Sequence, residues 1–241
     1  MNKLNLDAEK FKTKLISLGM LVSENKIYQN SGNEDVLNLI NEDGLMVLDI
    51  GCGAGTLAKK LVARGKIVDG ISISPNELKE AQEFLRNAYL FNLETGVPPE
   101  IGKDTYDYII CSHILEHIAY PEKLLKDIKN ALKKNGFLIV ALPNLFHYKT
   151  RIQLLKGNFP YAEAGIWDYT HIRWYSYKSA IKLLSGNFII ETASVTGELP
   201  FNSIFKRILP KKFSQSLYKI LIRISKCLFG YQLLYRFVNK K

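Results

Sequence analysis

The 241-residue chain has few cysteines, and the three it has, Cys52, Cys111 and Cys227, lie far apart with no Cys-x-x-Cys pair. An odd, scattered set speaks against a disulfide framework and a zinc site, so no metal centre is expected and the reading is of a cytoplasmic protein in a reducing compartment. No uncharged apolar run approaches the roughly 18 residues a spanning helix needs. The start, MNKLNLDAEKFKTKL, lacks an apolar stretch behind a basic end, so no secretory signal is expected. Acidic residues are missing after Glu198. Residues 1–198 balance basic against acidic, whereas 199–241 carry ten basic residues and no acid, which places the whole net charge of +10 in the tail. No repeat or low-complexity linker is found.

What is present is a near-average globular composition, 47% hydrophobic and 23% charged, enough for one sizeable core and an appendage. Apolar runs of strand length alternate with helical patterns, which predicts an α/β doubly wound sheet. Strands are expected at 46–50, 67–71, 88–91, 106–111, 137–142 and 188–195, with a last strand over 229–238. Helices are expected at 55–64, 75–87, 121–133 and 176–184. Pro75 and Pro121 suit first helical turns, and Gly65 and Gly136 suit left-handed positions just past helix ends. The domain reading is an N-terminal helical extension (1–34), a core (35–198), a basic insertion (199–226) and the returning strand with the C-terminus (227–241).

The segment Val47-Leu48-Asp49-Ile50-Gly51-Cys52-Gly53-Ala54-Gly55 carries the most chemistry. A buried strand runs into a glycine turn and then a helix, which lets backbone approach a nucleotide-like ligand. A dinucleotide fingerprint needs glycine at its sixth place, where Thr56 stands, and a phosphate loop needs Gly-Lys-Ser/Thr, which is missing.

Asp-x-Gly-x-Gly-x-Gly behind a first strand resembles motif I of the class I S-adenosylmethionine-dependent methyltransferases. The resemblance extends over about residues 35 to 144. Lys66–Pro75 is similar to that family's second strand, Asp107–Cys111 with Leu115-Glu116-His117 to its fourth strand and the turn at the active-site mouth, and Ala131–Gly136 with Phe137–Asn144 to its fifth strand. It implies a seven-stranded sheet with the last strand antiparallel, and S-adenosyl-L-methionine as cofactor. The loop residues Asp49, Gly51, Cys52, Gly53, Gly55 and Thr56 would hold it, with Ser72 and Ile73, Asn92 and Leu93, and Ser112 and His113 after the next strands. Asp49 would accept hydrogen bonds from loop amides or bound water. Ser72 stands where the family usually has an acid for the ribose hydroxyls, and Asn92 where it often has the aspartate that meets the adenine amine.

Leu154–Phe159 through Ala164–Ser176, with Trp167-Asp168-Tyr169-Thr170-His171-Ile172-Arg173, resembles a subgroup met in polysaccharide and lipid-linked glycan biosynthesis. That implies an O-methyltransferase acting on a glycan, a lipid-linked sugar or a quinone-like small molecule.

Removing a proton from an acceptor hydroxyl requires a base. His171 is the first choice, oriented by nearby Asp168, and His117 the second; against both stands a purely structural role, such as a turn cap before Pro121 for His117. In the tail, Phe213, Leu217, Ile220, Leu221, Ile224 and Leu228 share a helical face opposite Lys219, Arg223 and Lys226. Residues 201–226 are therefore read either as a contact to an anionic membrane surface, peripheral on its inner face, or as packing on the protein's own sheet. Interleaving with aliphatic residues argues against nucleic acid. A non-catalytic scaffold keeping the fold is the rival function, motivated by Ser72 and Asn92.

Overall fold

The computed structural model describes residues 32–197 and 211–241, so the expected extension over 1–34 lies almost wholly outside the described residues, as does the first part of the tail insertion. Seven strands form one sheet: β1 (Met46–Ile50), β2 (Ile67–Ser72), β3 (Asn87–Leu90), β4 (Tyr106–Ser112), β5 (Leu132–Pro143), β6 (Ile189–Thr196) and β7 (Gln232–Val238). Their order is β3-β2-β1-β4-β5-β7-β6, with β7 antiparallel to both neighbours. The helices are α1 (Glu34–Leu37), α2 (Thr56–Ala63), α3 (Pro75–Ala81), α4 (Pro121–Ala131), α5 (Tyr148–Leu155), α6 (Tyr177–Leu184), α7 (Lys211–Ile224) and α8 (Lys226–Phe229). Val47, Leu48, Ile50, Ile109, Ile110, Ile139 and Val140 are fully buried in the central strands, which is why these runs read as continuous apolar segments: helices cover both faces of a parallel sheet.

The elements differ from expectation where side chains hold the chain locally. The helix expected over 75–87 stops at Ala81. Buried Asp69 on β2 takes Arg86 Nε at 2.9 Å and the Asn87 amide at 3.1 Å, which pulls the following segment into β3 alongside β2. Past α4 the left-handed residue is Asn135 (φ 61) and not Gly136. Glycine is needed at 136 for space, since a Cβ there would lie 3.0–3.1 Å from the carbonyl oxygens of Lys133, Asp107 and Tyr106. The last strand begins at Gln232, because residues 226–229 close a short helix whose exit is tied to β5 by Asn144 Nδ2, donating to Cys227 O at 2.7 Å and Gly230 O at 2.6 Å. Helix α5 was not expected.

The parallel strands β1, β2 and β4 all end toward one edge of the molecule, and β7 starts there, since Gln232 pairs with Pro143. That edge, outside the carboxyl ends of the strands, is where open α/β sheets bind ligands.

Candidate active site

Every glycine of the loop after β1 has positive φ: 74° at Gly51, 54° at Gly53 and 79° at Gly55. The alternation therefore answers a backbone need that side chains meet poorly. A Cβ at Gly51 would fall 2.0 Å from the Ile114 side chain, and one at Gly55 2.8 Å from the Ala81 backbone of α3. The loop is thus wedged between the turn after β4 and the helix after β2. The amides of Gly51 and Cys52 both donate to Ile71 O at 2.9 Å, so these two loop amides do not reach Asp49, for which loop amides or bound water were the expected donors. Asp49 is 2% exposed, its Oδ2 has no hydrogen-bond partner, and burial pushes its pKa up to about 7. Cys52 is buried, and burial with the nearby Asp49 and Glu77 carboxylates drives its thiol upward, which fits an inert filler of the loop. Thr56 opens α2, half-buried.

After β2, Ser72 is buried and donates from Oγ to Glu77 Oε2 at 2.7 Å, while Ile73 is exposed. After β3, Asn92 is exposed and caps a short turn, its Oδ1 accepting from the Glu94 amide at 3.0 Å; Leu93 is buried in the core. The oxygen reserved for an adenine amine is thus already engaged in the turn. Ser112 Oγ accepts from Asn33 Nδ2 at 3.3 Å. His113 has φ 58 and is 43% exposed at its side chain, with Nε2 2.8 Å from Gln232 Oε1 and Nδ1 3.4 Å from Glu116 Oε1. Burial works to lower its pKa, but the Glu116 carboxylate beside it prevails and raises it.

The other wall is built by residues 162–176 folding back over the turn after β4, where the Ile172 and Arg173 amides both donate to Glu116 O at 3.0 Å. The contacts of the two histidines differ from the sequence reading here. Asp168 does not orient His171. Its Oδ1 accepts from the Thr170 amide at 2.9 Å and from Thr170 Oγ1 at 2.6 Å. Thr170 Oγ1 in turn lies 3.0 Å from His117 Nδ1, with Thr170 O at 3.2 Å from the same nitrogen. Because Thr170 spends its proton on Asp168, both oxygens facing Nδ1 are acceptors. The proton of neutral His117 is therefore on Nδ1 and Nε2 carries the lone pair. His171 is buried, with Nδ1 3.3 Å from Ile166 O and Nε2 3.9 Å from Glu116 Oε1; burial holds its pKa down against the pull of Glu116. The turn before Pro121 is held by others: Glu94 Oε1 accepts from the Ala119 amide at 2.7 Å and Arg173 Nε donates to Ala119 O at 2.6 Å.

Glu116, Thr170 and Gln232 are the residues that sequence reasoning missed in these roles. Glu116 was visible only as the middle of Leu-Glu-His. It is 1% exposed with neither carboxylate oxygen hydrogen-bonded. Glu116, His117 and His171 also bring ligand atoms within 4.8 Å of one another, a nitrogen and oxygen set able to hold a divalent ion, which cysteine spacing could not reveal.

The donor of the expected family fits these residues. The positive-φ glycine loop, packed tightly between Ile114 and Ala81, lies beside a buried, unpartnered carboxylate oxygen at Asp49, an acceptor suited to the hydrogen-bond donors of such a ligand.

A family model described as a methyltransferase domain matches residues 27–186. Among curated proteins, the ubiquinone biosynthesis O-methyltransferase of Glaesserella parasuis is 32% identical over 109 residues, covering 42% of this chain and 46% of that protein. Its namesake from Chromobacterium violaceum is 31% identical over 112 residues, covering 42% and 45%. The chain thus spans about half the length of the curated relatives it matches. In fold it is similar to S-adenosylmethionine-dependent methyltransferases from Archaeoglobus fulgidus (TM-score 0.60, 16% identity, 82% of this chain and 87% of that one) and Mesorhizobium loti (TM-score 0.56, 16% identity, 85% and 96%). With its sheet order, its glycine cradle and a family match over most of the described core, the chain belongs to the methyltransferase-domain family, the class I fold that uses S-adenosylmethionine.

Proposed function

We propose that the chain methylates a hydroxyl oxygen, with His117 as general base. The observation that carries this is the Asp168–Thr170–His117 chain, which sets the imidazole tautomer three residues beyond Ile114, the side chain that meets the glycine cradle. When bound, S-adenosylmethionine supplies an electrophilic methyl group and a good leaving group, so the protein's share is alignment and proton removal. His117 Nε2 takes the acceptor's hydroxyl proton. Thr170 and Asp168 keep Nδ1 protonated and favour the imidazolium that results. The acceptor class we infer first is a quinone-like phenol, supported by the printed names of the curated relatives; a glycan or lipid-linked sugar, supported by the likeness of residues 165–176, comes second.

Calorimetry with S-adenosylhomocysteine, followed by methyl transfer to a catechol-type phenol and to a polyprenyl-linked sugar, tests this. Binding with turnover on either acceptor is expected. No heat at protein concentrations near millimolar would defeat the enzyme reading in favour of the scaffold.

The tail supports a membrane contact through a specific surface. Helix α7 divides its apolar residues: Leu217, Leu221 and Ile222 are half-buried, Ile222 against the main core, and Tyr218 Oη donates to Phe229 O at 3.2 Å. Phe213, Ile220 and Ile224, spaced seven and four residues apart, remain 56%, 52% and 72% exposed beside Lys219 and Arg223. Both readings of this helix thus find support, one on each side. An apolar stripe flanked by cations suits an anionic bilayer surface, at about 1 kcal/mol per basic residue. Among the described residues no helix is long and apolar enough to cross a membrane. Sedimentation with phosphatidylglycerol vesicles should be lost when Phe213, Ile220 and Ile224 are all changed to Ser, and pelleting equal to the parent protein would remove this surface from the proposal.

A further inference from the structure

We infer that Glu116, His117 and His171 form a binding site for a divalent transition ion, whichever acceptor the protein takes. Each side chain offers one ligand atom, and the three atoms lie within 4.8 Å of one another. Glu116 anchors the set. It is 1% exposed, and neither of its carboxylate oxygens takes a hydrogen bond. Burying a carboxylate is costly unless a cation meets it. His113 Nδ1 lies 3.4 Å from Oε1, and His171 Nε2 lies 3.9 Å from the same oxygen, beyond hydrogen-bond reach. Two ligands that each stand about 2.0–2.2 Å from one ion are up to about 4 Å apart, so small side-chain shifts close the set around an ion.

Both imidazoles are held with the same nitrogen free. His117 Nδ1 faces Thr170 Oγ1 at 3.0 Å and Thr170 O at 3.2 Å, and His171 Nδ1 faces Ile166 O at 3.3 Å. A carbonyl oxygen only accepts, and Thr170 gives its proton to Asp168. Each Nδ1 therefore carries the proton and each Nε2 a lone pair. Ligating histidines are fixed in this manner, the second ring nitrogen donating to a carbonyl or to a group tied to a carboxylate. Glu116 and His117 are neighbours in the turn after β4, and the return of residues 162–176 delivers His171, clamped by the Ile172 and Arg173 amides on Glu116 O. Two nitrogens and one oxygen suit zinc, iron(II) or cobalt(II), whereas magnesium and calcium prefer oxygen alone. His117 Nε2 serves an ion or a proton, not both, so the base role given to it above belongs to the ion-free protein.

The test titrates the full chain, untagged and stripped with chelator, with zinc(II), cobalt(II) and magnesium(II) in a calorimeter. One zinc or cobalt ion per chain is expected, with magnesium at least about tenfold weaker. Glu116→Gln, which keeps the shape of the side chain, and His117→Ala should each weaken zinc by about a hundredfold or more, beyond what the loss of an outer partner costs. Should Glu116→Gln not fold, His117→Ala at its half-buried position carries the test. Thr170→Val is expected to weaken zinc about tenfold through His117 Nδ1, and Thr170→Ser, which keeps the hydroxyl, to bind like the parent protein. A parent protein that takes up no transition ion overturns the site. Zinc affinity undiminished in Glu116→Gln and His117→Ala would put the ion elsewhere and overturn it too, and magnesium binding as tightly as zinc would overturn the ion class. If the chain binds zinc but no S-adenosylhomocysteine, the methyl-transfer reading fails and the ion site stands.

Discussion

Asp49→Asn is expected to raise the melting temperature of the ligand-free protein at pH 8 while weakening S-adenosylhomocysteine at least a hundredfold. Burial holds the Asp49 carboxyl at about 7 against an ordinary 3.8. A folded-state pKa above the unfolded value means that the folded protein binds this proton more firmly. Its contribution is therefore full below about pH 4 and is lost progressively as pH rises through 7. The span corresponds to about 4 kcal/mol at most. Asparagine keeps the shape without the charge, though its buried amide costs about 1–3 kcal/mol of that gain. A net rise of about 1–2 kcal/mol, or about 2–8 °C for a chain of this size, should appear at pH 8 and vanish near pH 4. Parallel melting curves for both proteins across that range would show that Asp49 is not the strained group. The affinity side follows from the same orphaned oxygen: a ligand that needs the ionised form binds the parent protein more tightly as pH rises to 7, then levels off, and Asp49→Asn removes that slope. Stability and binding thus move in opposite directions, as expected where a folded protein carries a cost that its ligand relieves.

Much of this was legible in the sequence because it depends on short-range rules. Continuous apolar runs marked the buried parallel strands, and three glycines at alternate places marked a loop that demands positive φ, as found at Gly51, Gly53 and Gly55. What could not be read depends on which segment folds over which. Asp168 lies three residues from His171 and looked like its partner, but a carboxylate two residues before an amide is drawn into a local turn first, and Thr170 takes it. Which histidine then receives Thr170 is decided by the return of residues 162–176 across Glu116, a tertiary contact with no local signature. Asn135 and Gly136 show the limit of residue type itself: the glycine was assigned the left-handed turn, whereas its neighbour makes the turn and the glycine makes room.

The roles of the two histidines separate in kinetics. His117→Ala should lower kcat by about 10²–10⁴-fold, the usual contribution of a positioned base, with affinity for S-adenosylhomocysteine held within about threefold of the parent protein, since the lost group faces the acceptor. Thr170→Val removes the acceptor hydroxyl at His117 Nδ1 and frees Asp168 Oδ1 of one partner. It should cost about tenfold in kcat, because Nδ1 loses one of the two acceptors that hold its proton and so keep the lone pair on Nε2. A merely structural threonine would lower stability without a loss of turnover in the folded protein. His171→Asn is expected to do the reverse of His117→Ala: its ring is buried against Ile166 O and Glu116, so the change should lower the melting temperature by several degrees and kcat by less than tenfold. If His171→Asn instead costs more turnover than His117→Ala, the lone pair that matters is on the buried ring, and the tautomer set by Thr170 serves only to hold residues 162–176 against the turn after β4. The ordering of these two losses therefore decides whether the Asp168–Thr170–His117 chain is catalytic or architectural, whichever acceptor the enzyme takes.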